Sequence, residues 1–216
     1  MLADLLPDLL KGLLVTLELS VLGFVGAVVL GTVVAVCRVS PVPPLRWFGT
    51  AWVGVFRNLP ALVLLVLWVF GLPNVGVTTG LFTSAAICFS LTFSATVCEI
   101  VRSGIGGVDI GQAEAARAIG LGFGPTLRLV ILPQAFRSMV QPLGSVVIAV
   151  VLNTSLAAAV GVAELTYQSQ ALTIQYSEAL VTFLVAAVFY VVVALGIGWV
   201  TGRIERRVTV GRAVHA

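Results

Sequence analysis

Long apolar stretches separated by short polar segments dominate the pattern of this 216-residue sequence. An α-helix needs about 20 apolar residues to cross the hydrocarbon core of a bilayer. Stretches of about that length occur at residues 12–37, 50–71, 80–101, 139–160 and 179–200. Arg57, Asn58 and Pro60 interrupt the second stretch, where a proline is tolerated in a first turn or at a kink. The pattern predicts an all-α polytopic membrane protein with five transmembrane helices.

Composition excludes most other fold and function classes. Hydrophobic residues make up 59% of the chain and charged residues 10%, whereas a water-soluble domain carries about 25% charged residues. So few charges cannot coat a soluble enzyme of this size. The net charge of +3 is also too small and too scattered for a nucleic-acid-binding surface.

The basic residues predict how the chain is oriented in the membrane. With an extracytoplasmic N-terminus, all eleven arginines fall on the cytoplasmic side, and only Lys11 lies outside. The arginines form three groups, which are Arg38, Arg46 and Arg57, then Arg102, Arg117, Arg128 and Arg137, then Arg203, Arg206, Arg207 and Arg212. We therefore expect an outer N-terminus and a cytoplasmic C-terminus. The first span is too long, and its leading segment too acidic, for a cleaved signal peptide.

Catalytic and metal-binding patterns have little support in the sequence. Cys37, Cys88 and Cys98 lie in apolar runs and form no C-x-x-C pair, and the one histidine, His215, is second from the C-terminus. The single lysine is not part of a phosphate-binding loop. We therefore expect a protein that is not an enzyme, with no metal site and no cofactor of its own. If the protein uses ATP, a partner must hydrolyse it.

A long cytoplasmic segment, about 104–138, separates the third and fourth spans. Its alanine-rich run 112–119 favours a short helix, which Gly120 or Gly122 can end in a left-handed cap. Pro125 suits the first turn of a second short helix. A helix of this kind either lies on the membrane surface or binds in a cleft of another protein, and the pattern alone leaves both possibilities open.

Motifs in this segment and in two spans resemble those of a known family. In chain order they are Phe56-Arg57-Asn58-Leu59-Pro60, Gly111-Gln112, Glu114-Ala115-Ala116 followed by Gly120, Val130-Ile131-Leu132-Pro133, Asn153-Thr154-Ser155-Leu156 and Gly161-Val162. Together they resemble the EAA-loop permease subunits of polar amino acid ABC importers, most of all actinobacterial glutamate permease subunits. The resemblance covers about 12–207. It implies a single transmembrane permease domain over 1–216, with the fold of a type I ABC importer.

The resemblance also implies the mechanism and the partners. The residues expected to couple the permease to an ATPase are Gln112, Glu114, Ala115, Ala116, Arg117 and Gly120. The expected partners are a dimer of ABC ATPase subunits that binds ATP and Mg²⁺, a second permease subunit, related or identical, and an extracytoplasmic solute-binding protein. The expected function is ATP-driven import of glutamate, or of a related acidic or amide amino acid, across the cell membrane.

Polar residues inside the spans are costly in lipid and are therefore candidates for the solute path. Polarity and the matched motifs select Arg57, Asn58, Asn153, Thr154 and Ser155. Hydrogen bonding between packed helices is an equally open role for them. Glu99 is expected to form a structural ion pair with Arg102, one turn away. Small residues that allow close helix packing, within the chain or against a second subunit, are Gly23, Gly26, Ala27, Gly31, Gly144, Ser145, Gly196 and Gly198.

The sequence leaves two other functions open. The main alternative is a secondary carrier or channel subunit driven by an ion gradient, which commonly uses inverted repeats and broken helices. The sequence shows no such repeat, and five spans do not divide into two equal halves. A scaffold subunit that transports nothing is the third possibility, and it would leave the intramembrane polar residues unexplained.

Overall fold

The computed structural model describes residues 2–209, with side chains described for 5–207, and this part of the chain is helical apart from short connections. The α-helices are α1 (Leu2–Val39), α2 (Pro43–Asn58), α3 (Ala61–Val66), α4 (Leu81–Gly106), α5 (Ile110–Ala118), α6 (Phe123–Pro125), α7 (Leu132–Asn153), α8 (Leu165–Tyr176) and α9 (Ala179–Thr209). Wider and tighter turns extend three of them: a π turn at Leu67–Gly71 and a 3₁₀ turn at Leu72–Val75 after α3, a π turn at Thr126–Ile131 between α6 and α7, and a 3₁₀ turn at Thr154–Val160 after α7. The predicted all-α fold class is confirmed.

Four helical stretches of the described chain have the length and apolar character needed to cross a membrane. They are Leu5–Val39, Leu81–Gly106, Phe123–Val160 and Ala179–Arg207. A fifth span exists if the pair Pro43–Asn58 and Ala61–Val75, which is bent by 99°, counts as one crossing. Four of the five spans predicted from the sequence each correspond to one continuous stretch, although the third was predicted to begin at 80 and begins at Leu81.

The second predicted span, 50–71, is not one continuous helix but is divided between α2 and the arm that begins with α3. Its first part belongs to α2, which ends at Asn58 because Leu59 is extended (φ −89°, ψ 120°) and is followed by Pro60 (φ −58°, ψ 130°). Proline disfavours the helical backbone of the residue before it. The break lets α2 pack against α1 and α4 at an angle that differs sharply from that of the second arm.

Glycines on α1 allow this helix to pack closely against α4. A Cβ atom at Gly31 would lie 2.6 Å from the carbonyl oxygen of Ser94, and one at Gly23 would lie 3.2 Å from the Cβ of Phe89. Small residues at such positions let two helix backbones approach each other. The small residues of the first span therefore serve packing within the chain. In contrast, a Cβ at Gly196 on α9 would meet open space.

The segment that is predicted to be cytoplasmic, 104–138, forms one short helix that is followed directly by the start of the fourth span. Gly120 ends α5 in the left-handed conformation (φ +86°), and the N–H of Leu121 then donates to the carbonyl of Ala116 at 3.0 Å. The second short helix predicted around Pro125 is not separate, since α6 continues through a π turn into α7. Pro133 lies in the first turn of α7, where its missing N–H is tolerated next to the wider turn.

The connection between the fourth and fifth spans contains helix α8. This helix packs between the beginning of α1 and the beginning of α9. The apolar residues that form this contact are Leu5, Leu9, Leu165, Leu172 and Ala186, all of them buried. Helix α8 therefore ties the first span to the last at the end of the bundle that is predicted to be extracytoplasmic.

Candidate functional site

Helix α5 carries its own start and stop signals. The side chain of Asp109 accepts a hydrogen bond from the N–H of Gly111 at 2.7 Å and so caps the N-terminus. Arg117 lies in the last turn, where a positive charge favours the helix dipole. Ala116 is buried, and α5 packs against the π turn at Thr126–Ile131. One face of α5 thus holds it to the chain, and its other faces are exposed.

The six predicted coupling residues all lie on α5 or at its end. Gln112, Glu114, Ala115 and Arg117 are exposed, Gly120 is the left-handed cap, and only Ala116 points inward. The guanidinium of Arg117 donates to the carbonyl of Ala113 at 3.2 Å, and Gln112 accepts a hydrogen bond from Gln134 at 3.4 Å. The charged side chains of Glu114 and Arg117 therefore remain accessible to another protein.

Sequence reasoning missed an apolar feature that surrounds this helix. Ile110, Ile119 and Phe123 lie in the segment between two spans, and their side chains are 74%, 78% and 85% exposed although they are large and apolar. We call these three residues the apolar rim of α5. Ile110 and Ile119 lie at the two ends of the polar helix and Phe123 just beyond it, so a partner protein that covers α5 would also cover apolar surface. The signal was visible in the sequence as isolated large apolar residues that flank the alanine-rich run.

A second feature is a charge cluster that joins α1, α2 and α4. Glu99 on α4 accepts hydrogen bonds from Arg38 on Oε1, and from Arg102 on Oε2 at 3.1 and 3.0 Å. The guanidinium of Arg57 lies 3.8 Å from Oε1 of the same carboxylate. We call Arg38, Arg57, Glu99 and Arg102 the inner charge cluster. The predicted ion pair between Glu99 and Arg102 is present, and two further arginines from distant parts of the sequence join it.

A cavity of about 470 Å³ lies beside the inner charge cluster. Its lining residues on α4 share one helix face, since they are spaced by three or four positions. The lining consists of Arg57, Thr96, Glu99, Ile100, Ser103, Gly104, Gly107, Ser138 and Pro142. The cavity is therefore bounded by α2, α4 and α7 and offers charged groups and hydroxyls to a ligand.

The predicted path residues do not come together in one site. Arg57 lines the cavity with Pro142 of α7, whereas Asn153 lies eleven residues further along that helix, or about 16 Å at 1.5 Å per residue. Asn153, Thr154 and Ser155 donate to carbonyl groups three or four residues earlier in the chain, at 2.7–2.8 Å. Thr154 is fully buried within the chain. The predicted path residues thus form two separate layers.

The amide of Asn58 also bonds within its own helix, since it donates to the carbonyl of Gly54 at 2.7 Å. Arg57 differs from the other four predicted path residues in this respect. Within residues 5–207, the one polar contact of its side chain is the 3.8 Å approach to Glu99, and 56% of the side chain is exposed. Arg57 is therefore the predicted path residue that is freest to bind a ligand.

At the opposite end of the bundle, Glu164 is a buried carboxylate that sequence reasoning did not select. It accepts hydrogen bonds from the N–H of Tyr167 at 2.8 Å, the hydroxyl of Tyr190 at 2.8 Å and the hydroxyl of Thr16 at 3.5 Å. Burial raises the pKa of the Glu164 carboxyl above its ordinary value, against the opposing effect of these hydrogen bonds. The sequence did contain a signal for this residue, because Glu164 is an acidic side chain between the apolar residues Val162-Ala163 and Leu165 at the start of a helix.

Comparisons with known proteins agree with this architecture. The family model described as binding-protein-dependent transport system inner membrane component matches residues 27–210. The glutamate transport system permease protein GluC of Corynebacterium glutamicum is 38% identical, over 96% of this chain and 97% of the relative. The probable glutamine ABC transporter permease protein GlnM of Bacillus subtilis is 34% identical, over 88% of this chain and 90% of the relative.

The fold is similar to that of a solved transporter. A chain in the crystal structure of an amino acid ABC transporter with histidines superposes with a TM-score of 0.90 at 30% sequence identity. The superposition covers 95% of this chain and 96% of that one. The likeness therefore extends over nearly the whole of both chains.

Proposed function

The chain belongs to the family of binding-protein-dependent transport system inner membrane components and is a permease subunit of an amino acid ABC importer in the cell membrane. From this premise, we propose that it imports glutamate, or a related acidic or amide amino acid, and that α5 couples this import to ATP hydrolysis in a partner. The single observation that carries the coupling role is the exposed apolar rim around a polar, capped helix.

The apolar rim and the exposed polar face of α5 supply two kinds of contact to an ATPase. Ile110, Ile119 and Phe123 lose unfavourable contact with water when a partner covers them, at about 25 cal/mol per Å². Glu114 and Arg117 then fix the register through charge-assisted hydrogen bonds. Because α5 is held to the chain by Ala116, a displacement of the bound helix is transmitted to the π turn and the fourth span.

The transport cycle follows from two arrangements of the same bundle. ATP binding closes the ATPase dimer, the α5 helices move with it, and the path opens to the outside. Hydrolysis returns the path to the inward-facing arrangement. The permease is then a two-state helix bundle whose equilibrium is shifted by ligands that bind one state better than the other. ATP and Mg²⁺ belong to the ATPase subunits in this scheme.

The proposal names further partners and a solute class. A second permease subunit, related or identical, completes the path, and an extracytoplasmic binding protein delivers the solute. The choice of glutamate or a related acidic or amide amino acid is supported by the names of the relatives GluC and GlnM. Arg57 and the amide of Asn153 are the matching polar groups of this chain, although they lie in different layers of the bundle.

A mild-detergent purification of the N-terminally tagged chain, with mass spectrometry of the proteins recovered, tests the proposal. We expect an ATPase subunit to co-purify, together with a permease partner. Glu114→Lys and Ile119→Asp should lower ATPase recovery by about tenfold, as substitutions at the centre of an interface do. Ile174→Asp on α8 is the matched control, because Ile174 is 84% exposed at the other end of the bundle.

The outcomes separate the proposed importer from its rivals. Recovery of the ATPase with the wild-type chain and its loss in both α5 variants would support coupling through α5. Uptake of labelled glutamate, aspartate and glutamine would then identify the solute. A preparation that contains no ATPase, even after crosslinking, would contradict the proposal and favour a secondary carrier or a scaffold. Unchanged recovery in both variants would contradict the docking role of α5.

A further inference from the structure

The inner charge cluster contains more positive charge than its one carboxylate can neutralise. Arg38 bonds to Oε1 of Glu99 and Arg102 bonds to Oε2, so both carboxylate oxygens already accept strong hydrogen bonds. Arg57 approaches Oε1 only to 3.8 Å, which is beyond hydrogen-bond distance. Three guanidinium groups and one carboxylate leave two positive charges in excess. Arg57 is the guanidinium that Glu99 holds least well.

The surplus guanidinium lies on the wall of the cavity and not in the packed interior. The cavity of about 470 Å³ falls within the range of about 300–1,000 Å³ that is typical of small-molecule sites. Hydroxyl groups of Thr96, Ser103 and Ser138 share its wall with Arg57. A planar guanidinium with free N–H groups beside hydroxyls is suited to bind a carboxylate in a bidentate manner.

We propose that Arg57 binds the α-carboxylate of the transported amino acid in this cavity, and that Glu99 holds Arg57 in place when the cavity is empty. This inference rests on the proposed import function, because it takes its ligand class from the solute. Arg57 exchanges a long contact with a shared carboxylate for a direct contact with the solute. Glu99 keeps Arg38 and Arg102, so the helices α1 and α4 stay joined during the exchange.

If Arg57 exchanges Glu99 for the solute, substitutions of Arg57 and of Glu99 should change solute binding in opposite directions. Removing the charge of Arg57 removes the carboxylate site, so solute binding weakens. Removing the charge of Glu99 takes away the competitor for Arg57, so solute binding becomes tighter. A purely structural ion cluster predicts the same sign for both changes, since either one breaks the cluster. The two signs therefore separate a binding role from a structural role.

Equilibrium binding of labelled glutamate to the purified complex tests this inference. The complex contains a hydrolysis-deficient ATPase, lacks the binding protein, and is held in nanodiscs of zwitterionic phosphatidylcholine. We expect Arg57→Gln to weaken binding by about tenfold or more and Arg57→Lys to weaken it less. Glu99→Gln should tighten binding by a few-fold. Arg46→Gln is the matched control, because Arg46 is an exposed arginine on the same helix, outside the cavity.

Competing ligands identify the group that is bound. Glutamine keeps the α-carboxylate and should compete, whereas glutamic acid α-amide, which lacks it, should not. The opposite order would overturn the assignment to the α-carboxylate. A phosphate of a lipid headgroup could also bind a guanidinium. Glutamate binding that disappears when phosphatidylglycerol replaces part of the phosphatidylcholine would assign the site to lipid and overturn the inference.

Failure of the inference can be told apart from failure of the import function. If the complex with an active ATPase imports glutamate, but Arg57→Gln and Glu99→Gln both weaken binding to the hydrolysis-deficient complex or both leave it unchanged, only the carboxylate site is wrong. Absence of saturable glutamate binding to the hydrolysis-deficient complex, when the same complex with an active ATPase imports glutamate, would also overturn it. If no ATPase co-purifies, the import function itself fails before the binding experiment begins.

Discussion

Glu164 shows how a single buried carboxylate can organise one end of a helical bundle. Its two oxygens accept hydrogen bonds from α1, α8 and α9, through Thr16, Tyr167 and Tyr190. A buried carboxylate is costly unless such partners surround it, and losing it would leave the partners without an acceptor. The side chain therefore fixes α8 between the first and last spans at the predicted outer end.

The raised pKa of Glu164 predicts a pH dependence of stability. The folded protein holds a proton on this carboxyl more tightly than the unfolded chain does, because burial raises the pKa of the group above 4.5. This contribution to the free energy of unfolding is fully present below pH 4.5, and it is lost as the pH rises through the higher pKa of the folded state. We expect Glu164→Gln, which stays neutral, to remove this part of the pH dependence.

Thermal unfolding in detergent between pH 4 and pH 8, for the wild-type chain and the Glu164→Gln variant, checks this expectation. The difference in stability between the two should change with pH in the stated direction. Glu178→Gln is the control, since Glu178 is exposed in the same connection. A difference that is constant across the pH range would show that the pKa of Glu164 is the same in the folded and the unfolded protein. Glu164→Ala should cost about 1–3 kcal/mol below pH 4.5, because buried donors lose their acceptor, and less as the pH rises.

The residues of the inner charge cluster show which contacts a sequence can reveal. The pair Glu99–Arg102 was predicted because three residues along a helix bring two side chains onto one face. Arg38 and Arg57 reach the same carboxylate from 61 and 42 positions away in the chain. Such contacts depend on how the helices cross, and single-sequence periodicity carries no information about crossing. Glu164 was missed for the same reason.

At the scale of single helices, the conformation of α5 depends on the glycine that ends it. Gly120 closes it with a φ of +86°, whereas Gly122 has an ordinary φ of −69°, and neither faces a nearby atom. A side chain at Gly120 costs about 1–2 kcal/mol because of the left-handed backbone. That energy corresponds to a change of about five- to thirtyfold in a two-state population. Gly120→Val should therefore shift the end of α5 and weaken coupling.

The uptake of glutamate per ATP hydrolysed, in proteoliposomes that contain the whole importer, measures the change. We expect Gly120→Val to lower this ratio several-fold while the amount of permease in the membrane stays the same. Gly122→Val is the matched control, because the same side chain is added two residues away on a backbone that accepts it. Equal ratios in both variants would be inconsistent with a role for the cap in coupling.

The helices could be predicted where the residues that determine them lie close together in the sequence. Apolar length identified the four continuous spans, and the alanine-rich run between glycines identified α5. The second span was predicted with Arg57, Asn58 and Pro60 in its opening half and a first turn or kink at Pro60, and the backbone turns by 99° there. Proline signals a break but not its angle, which is set by packing of α2 against α1 and α4.

At the scale of the whole molecule, the two ends of the bundle have different chemistry. The end with α5 carries the apolar rim and the inner charge cluster, and the end with α8 carries the Glu164 site. Between them, α9 leaves large apolar side chains exposed, among them Val188, Leu195 and Trp199. In a bilayer such a surface faces lipid or another transmembrane subunit. The proposed coupling role of α5 requires that this end faces the compartment that holds the ATPase.

The orientation can be tested with two exposed isoleucines at opposite ends. Ile204 is 45% exposed on the last turns of α9, close to Arg203, which lies 4.1 Å from the ring of Trp199. An aromatic ring beside arginines is typical of the cytoplasmic interface. In a background without Cys37, Cys88 and Cys98, Ile204→Cys should react with an impermeant thiol reagent only after the cells are permeabilised. Ile174→Cys on α8 should react on intact cells.

The reverse labelling pattern would contradict the predicted orientation and the proposed roles of α5 and of Arg57. It would place eleven arginines outside, against the charge asymmetry that governs insertion. It would also place α5 where no cytoplasmic ATPase could reach it, and the cavity beside Arg57 would then lie near the outer surface. Arg212 lies outside the described residues, so the tail is tested through Ile204. Agreement at both positions would orient the inner charge cluster toward the side on which an importer releases its solute.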